Sequence, residues 1–280
     1  MTQVVLKNIN DVIVKPFKVN PDLPLNKIQG GKLFPLRRNI AIIARKNSGK
    51  TCLIGNILLN CANKMSTVFI ICSTVELDKT YQVIIKKLQK KNITVITHQS
   101  LYDYDEKNGT HVNNLDAIME LMKETKIEEN HDSDDDEKNE QPKQIISTQD
   151  DDVKKERKPR PPKLIANKFF VVLDDLSNEL HDQTIEKFVK KNRHYDCSTI
   201  ISNQAFTDMS PATRKQFDDV LLLGGHKKDK LSIIYKDIDP PFSLDAFLDL
   251  YDYATSKKYD FFNINREGVA KKNFNTVFQV

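Results

Sequence analysis

Asn39-Ile40-Ala41-Ile42-Ile43-Ala44 runs directly into Arg45-Lys46-Asn47-Ser48-Gly49-Lys50-Thr51, and Leu53, Ile54, Ile57, Leu58 and Cys61 follow at helical spacing. The stretch reads as a short buried strand, a loop, and a helix over residues 51–62. A triphosphate needs backbone N–H groups converging on its oxygens at a helix N-terminus, a long-stemmed ammonium and a hydroxyl for magnesium. Gly49, Lys50 and Thr51 supply those parts. The nucleotide-binding stretch is therefore Ala44, Arg45, Lys46, Asn47, Ser48, Gly49, Lys50, Thr51 and Cys52, with ATP and Mg2+ as the implied ligands. Phosphate loops of this kind begin with glycine, and Ala44 stands in that place at the cost of some backbone freedom. The bland alternative is a capped turn carrying a solvated lysine.

The same alternation of strand and helix continues outward. Thr67 to Cys72 reads as a strand, Leu77 to Lys90 as a helix with Tyr81, Ile84, Ile85 and Leu88 inward, and Ile93 to Thr97 as a third strand. Leu115 to Met122 is helical in pattern. Further on come strand Phe169 to Leu173, helix Leu180 to Lys191, and strands Ser198 to Ser202 and Val220 to Leu223. Short apolar strands alternating with helices predict an α/β fold, a mainly parallel sheet with helices on both faces. Residues 261–280 read instead as a β-rich addition, a hairpin turning at Asn265 to Gly268.

The strand Phe169-Phe170-Val171-Val172-Leu173 ends in Asp174-Asp175. Two carboxylates at the end of a buried strand are costly unless a metal, a water or a cation meets them. Asp174 is placed to reach magnesium together with Thr51. Asp175 is placed to accept a hydrogen bond from a water attacking the γ-phosphate. The alternative is that Asp175, or Leu176 to Ser177, merely caps the following helix. A third polar strand end is Asn203-Gln204, closing Cys197 to Gln204 (CSTIISNQ). If that strand lies between the other two, Gln204 sits where it senses nucleotide state or orients water; otherwise it is an ordinary turn residue.

The chain of 280 residues and 32.3 kDa is long enough for one large core. Its net charge of +4 is too small to prove a nucleic-acid partner, but the distribution is informative. Glu128 to Asp152 holds eleven acidic residues and two lysines, and Lys154 to Lys163 (KKERKPRPPK) holds six basic residues and three prolines. Such a stretch buries too little apolar surface to offset its ordering entropy. Residues 127–164 are therefore expected to be a disordered, charge-segregated insertion between the two parts of one core, 1–126 and 165–280. The longest apolar runs fall far short of the ~20 residues of a membrane span. No signal-peptide pattern opens the chain, and the four cysteines, Cys52, Cys61, Cys72 and Cys197, form no CxxC pair. The expectation is a reducing, intracellular setting with no integral membrane span and no zinc site.

Lys191 to Gln204 (KNRHYDCSTIISNQ), followed by Ser210 to Gln216 (SPATRKQ), and the LDDL sequence at Leu173 to Leu176 resemble the poxvirus-type viral genome-packaging ATPases of the FtsK/HerA P-loop superfamily. The resemblance covers roughly Leu33 to Gly224 apart from the insertion. It implies a RecA-like P-loop NTPase that assembles as a homo-oligomeric ring and drives double-stranded DNA into a capsid, with a capsid or portal-vertex protein as partner. It also implies a location in the host-cell cytoplasm or viral factory and an association with virions. Carried over by residue, it gives Lys50 and Thr51 the phosphate and magnesium roles, Asp174 the metal, Asp175 the catalytic carboxylate and Gln204 the polar sensor. Arg214 matches an arginine that reaches a neighbour's γ-phosphate, with Arg193 as the competitor; the plain alternatives are a surface arginine and a helix C-terminal pair of Arg193 with His194. Asp175 is one methylene shorter than the glutamate of FtsK-like motors.

For DNA contact the sequence offers two basic clusters, Lys86, Lys87, Lys90 and Lys91 at a helix end, and His226 to Lys230 (HKKDK) in a loop. Each could equally be a solvated face. No metal-ligand histidine spacing or nucleophile elbow points to a protease or another hydrolase of carbon substrates. Two other classes stay open: a different ring ATPase such as a helicase or recombinase, and a non-catalytic module that uses nucleotide only to order a surface.

Overall fold

The computed structural model describes residues 33–105, 109–136, 168–176 and 179–279, with the backbone alone for 126–136. Its elements are β1 (Asn39–Ile43), α1 (Lys50–Cys61), β2 (Thr67–Cys72), α2 (Lys79–Gln89), β3 (Thr94–His98), β4 (Tyr102–Asp105), β5 (Thr110–Asn113) and α3 (Asn114–Asp136). There follow β6 (Phe169–Asp174), α4 (Gln183–Lys191), β7 (Cys197–Asn203), α5 (Pro211–Arg214), β8 (Asp219–Leu223), α6 (Lys228–Ile238), α7 (Leu244–Ala254), β9 (Phe261–Asn265), β10 (Ala270–Lys272) and β11 (Thr276–Val277). α3 continues to Asp136, into the segment expected to be an unstructured insertion; residues 137–164 of that segment, and the alternative cap at Ser177, lie outside the described residues.

The strands form one nine-stranded sheet in the order β11-β10-β9-β8-β1-β7-β6-β2-β3, beside a separate β4–β5 hairpin. From β8 to β3 every pairing is parallel, and β9, β10 and β11 extend the sheet antiparallel. The α/β fold with a mainly parallel sheet and a β-rich end is as the sequence predicts, including the turn that joins β9 to β10.

Alternating residues of each central strand feed two cores. Ile40 and Ile42 of β1, with Val68, Ile70, Phe170 and Val172, pack on the side of α1 and α2. Ala41 and Ile43, with Phe69, Ile71, Val171 and Leu173, face the side that takes Ile185 and Phe188 of α4 and Phe247 of α7. Burial on both faces explains why these strands read as continuous apolar runs rather than as alternation. α1 and α2 lie so close that a Cβ on Gly55 would come within 2.6 Å of Ile84 Cδ1, so a larger residue there would have to push the Ile84 side chain aside. α2 and α4 start on aspartate caps, Asp78 accepting from Thr80 N and Asp182 from Thr184 N, each at 2.7 Å, and both end in lysines that complement the dipole.

Further stretches differ from the sequence reading, among them the β4–β5 hairpin, which it did not anticipate. His226 to Lys230 is not all loop, because α6 begins at Lys228. α7 was not expected at all, although Ser243 caps it by accepting from Ala246 N at 3.2 Å and Phe247, Tyr251 and Ala254 line its buried side.

Candidate functional site

β7 lies between β1 and β6, in the register Ile43 to Asn203 and Ser202 to Asp174. The C-terminal ends of the three strands therefore stand in a row at one edge of the sheet, the edge where parallel α/β sheets collect their ligand groups. Ala44 is fully buried, and its N–H donates to Asn203 O at 3.0 Å, which fixes the start of the phosphate loop to the strand next door. A methyl group suffices there because the loop turns later, at Asn47 (φ 60°) and Gly49 (φ 98°). Arg45, Lys46, Asn47 and Cys52 are exposed, and the Ser48 hydroxyl closes the turn by donating to Arg45 O. Gly49 is the left-handed N-cap of α1 and offers no side-chain cap, so the first amides of the helix keep no partner of their own kind. That is the anion-binding end of the helix dipole.

Lys50 reaches back from this loop to both carboxylates of β6. Its Nζ stands 3.9 Å from Asp174 Oδ1 and 3.9 Å from Asp175 Oδ1. The two acids differ in setting. Asp174 is 3% exposed and accepts a 2.7 Å hydrogen bond at Oδ2 from the Tyr81 hydroxyl of α2, whereas the Asp175 side chain is 42% exposed. Burial pushes the Asp174 carboxyl above the usual carboxylate range, against the pull of the Lys50 charge and the Tyr81 hydrogen bond. Burial, and then the Asp174 charge, push the Tyr81 phenol well above its ordinary value, so Tyr81 stays a donor. Asp175 takes a left-handed conformation (φ 55°) and donates its N–H to Ser202 O at 3.2 Å, which turns its carboxylate out of the sheet.

The residues present fit a magnesium ion. Asp174 Oδ1 and the hydroxyl of its strand neighbour Ser202 are buried without a hydrogen-bond partner, an arrangement that a cation or its water relieves. Thr51, whose Oγ1 is 3.5 Å from Asp78 Oδ2, offers a further hard oxygen at the start of α1. Among the described residues no cluster of three His, Cys, Asp or Glu side chains could hold a metal alone, so phosphate oxygens and water would have to complete the shell.

An open cleft of about 800 Å3 begins at this loop and is lined by Lys50, Thr51, Asp78 and Thr80. Gln204 is not part of its wall. Gln204 is exposed and lines a second hollow of about 350 Å3 with Arg45, His226, Lys227 and Lys230. Arg214 lies with Asp218 and Val220 near the start of β8, the opposite edge of the sheet; its Nε is 2.9 Å from Asp237 Oδ2 and its guanidinium stacks on Phe206. Arg193 is more open, its side chain 60% exposed with one nitrogen 3.1 Å from Asp218 Oδ1. Of the two basic clusters, His226 to Lys230 follows the C-terminal end of β8 and shares the edge of the phosphate loop. The lysines of α2 sit at the other edge, where Lys91 donates to Leu59 O at 2.6 Å.

The structure brings Lys50, Asp174 and Asp175 together, as the sequence suggested; the sequence reading did not single out Asp78, Tyr81 and Ser202, which stand beside them. Tyr81 stood out only as an inward residue of its helix; the sign of a further role was a hydroxyl on a fully buried ring, which must find an acceptor.

The chain matches no family model and no curated protein sequence. Its fold is similar to that of solved viral and bacterial ATPases. The genome packaging NTPase B204 of Sulfolobus turreted icosahedral virus 2, in complex with AMPPCP, matches with 17% identity over 85% of this chain and 97% of that one, with a TM-score of 0.48. The DNA-packaging ATPase B204 of Sulfolobus turreted icosahedral virus matches with 16% identity over 85% and 97%, TM-score 0.49. The cytoplasmic domain of the type VII secretion ATPase EccC of Thermomonospora curvata matches with 12% identity over 94% of this chain and 30% of that one, TM-score 0.45. At these identities the likeness is one of fold. Among the described residues no helix is long and apolar enough to cross a membrane.

Proposed function

We propose that this chain is a magnesium-dependent ATPase whose hydrolysis drives double-stranded DNA into a viral capsid, working as a homo-oligomeric ring. The observation that carries the ATPase reading is the meeting of Lys50 from the phosphate loop with Asp174 and Asp175 from a strand end, each at 3.9 Å. The packaging reading draws its support from the sequence stretches at Lys191 to Gln204 and Ser210 to Gln216.

Lys50 holds the β- and γ-phosphates while the N-terminal amides of α1 meet their oxygens. Thr51 and Asp174 would hold a magnesium ion, which would supply positive charge to the transferring phosphoryl group. Asp175, the more open carboxylate, accepts a hydrogen bond from the attacking water and takes its proton. Gln204 stands one strand away, where its amide reports the state of the loop through the Asn203 contact with Ala44. An arginine from the neighbouring subunit, Arg214 or Arg193, supplies charge to the transition state and makes turnover depend on assembly. For Arg214 this requires release from Asp237 on docking. The basic run at Lys227, Lys228 and Lys230 suits sequence-independent contact with DNA phosphates, and a capsid or portal-vertex protein completes the assembly.

The test is phosphate release measured against protein concentration, with and without double-stranded DNA. A steeper than linear rise, stimulated by DNA, is the expected result. Linear turnover indifferent to DNA would contradict the ring motor, and strand separation in a parallel assay would move the chain to the helicase class.

A further inference from the structure

The cleft that begins at Gly49 and Lys50 continues along α1 past Asn56 to Asn60, a run of roughly 16 Å at about 1.5 Å per residue. Part of its lining is aromatic, formed by Tyr259, Phe261 and Phe274. Phe274 is held edge-on between Phe261, with ring centres 4.8 Å apart, and Phe34, at 5.7 Å. Tyr259 is different, because 61% of it is exposed. Its ring lies against the phosphate loop so closely that a Cβ on Gly49 would come within 3.0 Å of Tyr259 Cδ1.

The backbone at Tyr259 has φ 71°, a left-handed conformation that a bulky residue takes only when its surroundings force it. The turn is closed by the Asp260 N–H donating to Lys257 O at 3.1 Å, and Asp260 in turn binds Lys272 at 2.9 Å and Asn273 at 3.0 Å. An exposed ring held in a strained turn adds little to the core. What it offers is an open π-face, already visited by the Lys258 ammonium at 4.9 Å from the ring centre.

We infer that Tyr259, which lines the same cleft as Phe274, is the stacking shelf for the base of the bound nucleotide, an inference that rests on the nucleotide reading of the phosphate loop. Every nucleobase has a π-face, so a shelf of this kind holds the base by stacking.

Titration calorimetry of the full chain with ATP and with inorganic tripolyphosphate, which lacks a base, tests the inference on the wild type, Tyr259→Ala and Tyr259→Phe. Tyr259→Ala is expected to weaken ATP about tenfold or more and to leave tripolyphosphate unchanged, while Tyr259→Phe keeps both. An equal loss for both ligands would overturn the inference, since the ring would then only prop Gly49. So would undiminished ATP affinity in Tyr259→Ala. If the wild type bound neither ligand, the nucleotide reading itself would fall and this inference with it, an outcome distinct from the other two.

Discussion

The Tyr81 hydroxyl donates at 2.7 Å to one oxygen of Asp174 and leaves the other, Oδ1, without a hydrogen bond and 3.9 Å from Lys50 Nζ. One buried carboxylate is thereby divided between a fixed donor from α2 and a free face turned toward the phosphate loop. The pairing spans two elements on one face of the sheet, so α2 holds the orientation of an acid that belongs to β6.

Tyr81→Phe keeps the ring and removes that donor. The Mg2+ concentration giving half-maximal ATP hydrolysis should rise by about 10- to 100-fold, the usual effect of losing a partner that orients a metal ligand. ATP affinity without metal should stay near the wild-type value. An unchanged magnesium dependence would show that Asp174 does not need Tyr81 to meet the metal.

Asp175→Asn keeps shape and removes the carboxylate proposed as the base. ATP should bind with wild-type affinity while single-turnover hydrolysis slows by roughly 10² to 10⁴. Unchanged hydrolysis would move the base to another residue.

Asp219 sits buried at the opposite edge of the sheet, with Arg38 Nε 3.8 Å away and Asp218 beside it in sequence, and burial pushes its carboxyl up to about 7. The ordinary value is about 3.9, so between about pH 4 and 7 the folded state binds more protons than the unfolded one. Stability therefore falls as pH rises through that window. Asp219→Asn should flatten this fall and raise stability at pH 8, by at most about 4 kcal/mol from three pH units at 1.36 kcal/mol each. Thermal melts of both proteins across pH 4 to 8 check it, and parallel curves would show that Asp219 does not titrate there.

The loop from Ala44 to Thr51 and the acids at Asp174 and Asp175 could be read from the sequence because each carries its signal locally, in a few adjacent residues between a strand and a helix. The position of β7 was legible only as a condition, since strand order is a long-range property, and the sheet meets that condition. α7 was missed although its Ser243 cap and the spacing of Phe247 and Tyr251 are local signs. His226 to Lys230 read as loop because lysines dominate it, yet Leu231 and Ile234 pull the following residues into a helix against the core. Tyr259 was out of reach for another reason: its distance from Gly49 exists only once the C-terminal strands have joined the sheet.

ATP hydrolysis by this chain requires Lys50 to meet the triphosphate beside Asp174 and Asp175. Phosphate release from Mg·ATP by wild type and Lys50→Ala, purified identically and matched by thermal melt, tests this most directly. The expected result is turnover in the wild type and none above background in the variant. Wild-type turnover by Lys50→Ala would contradict the account.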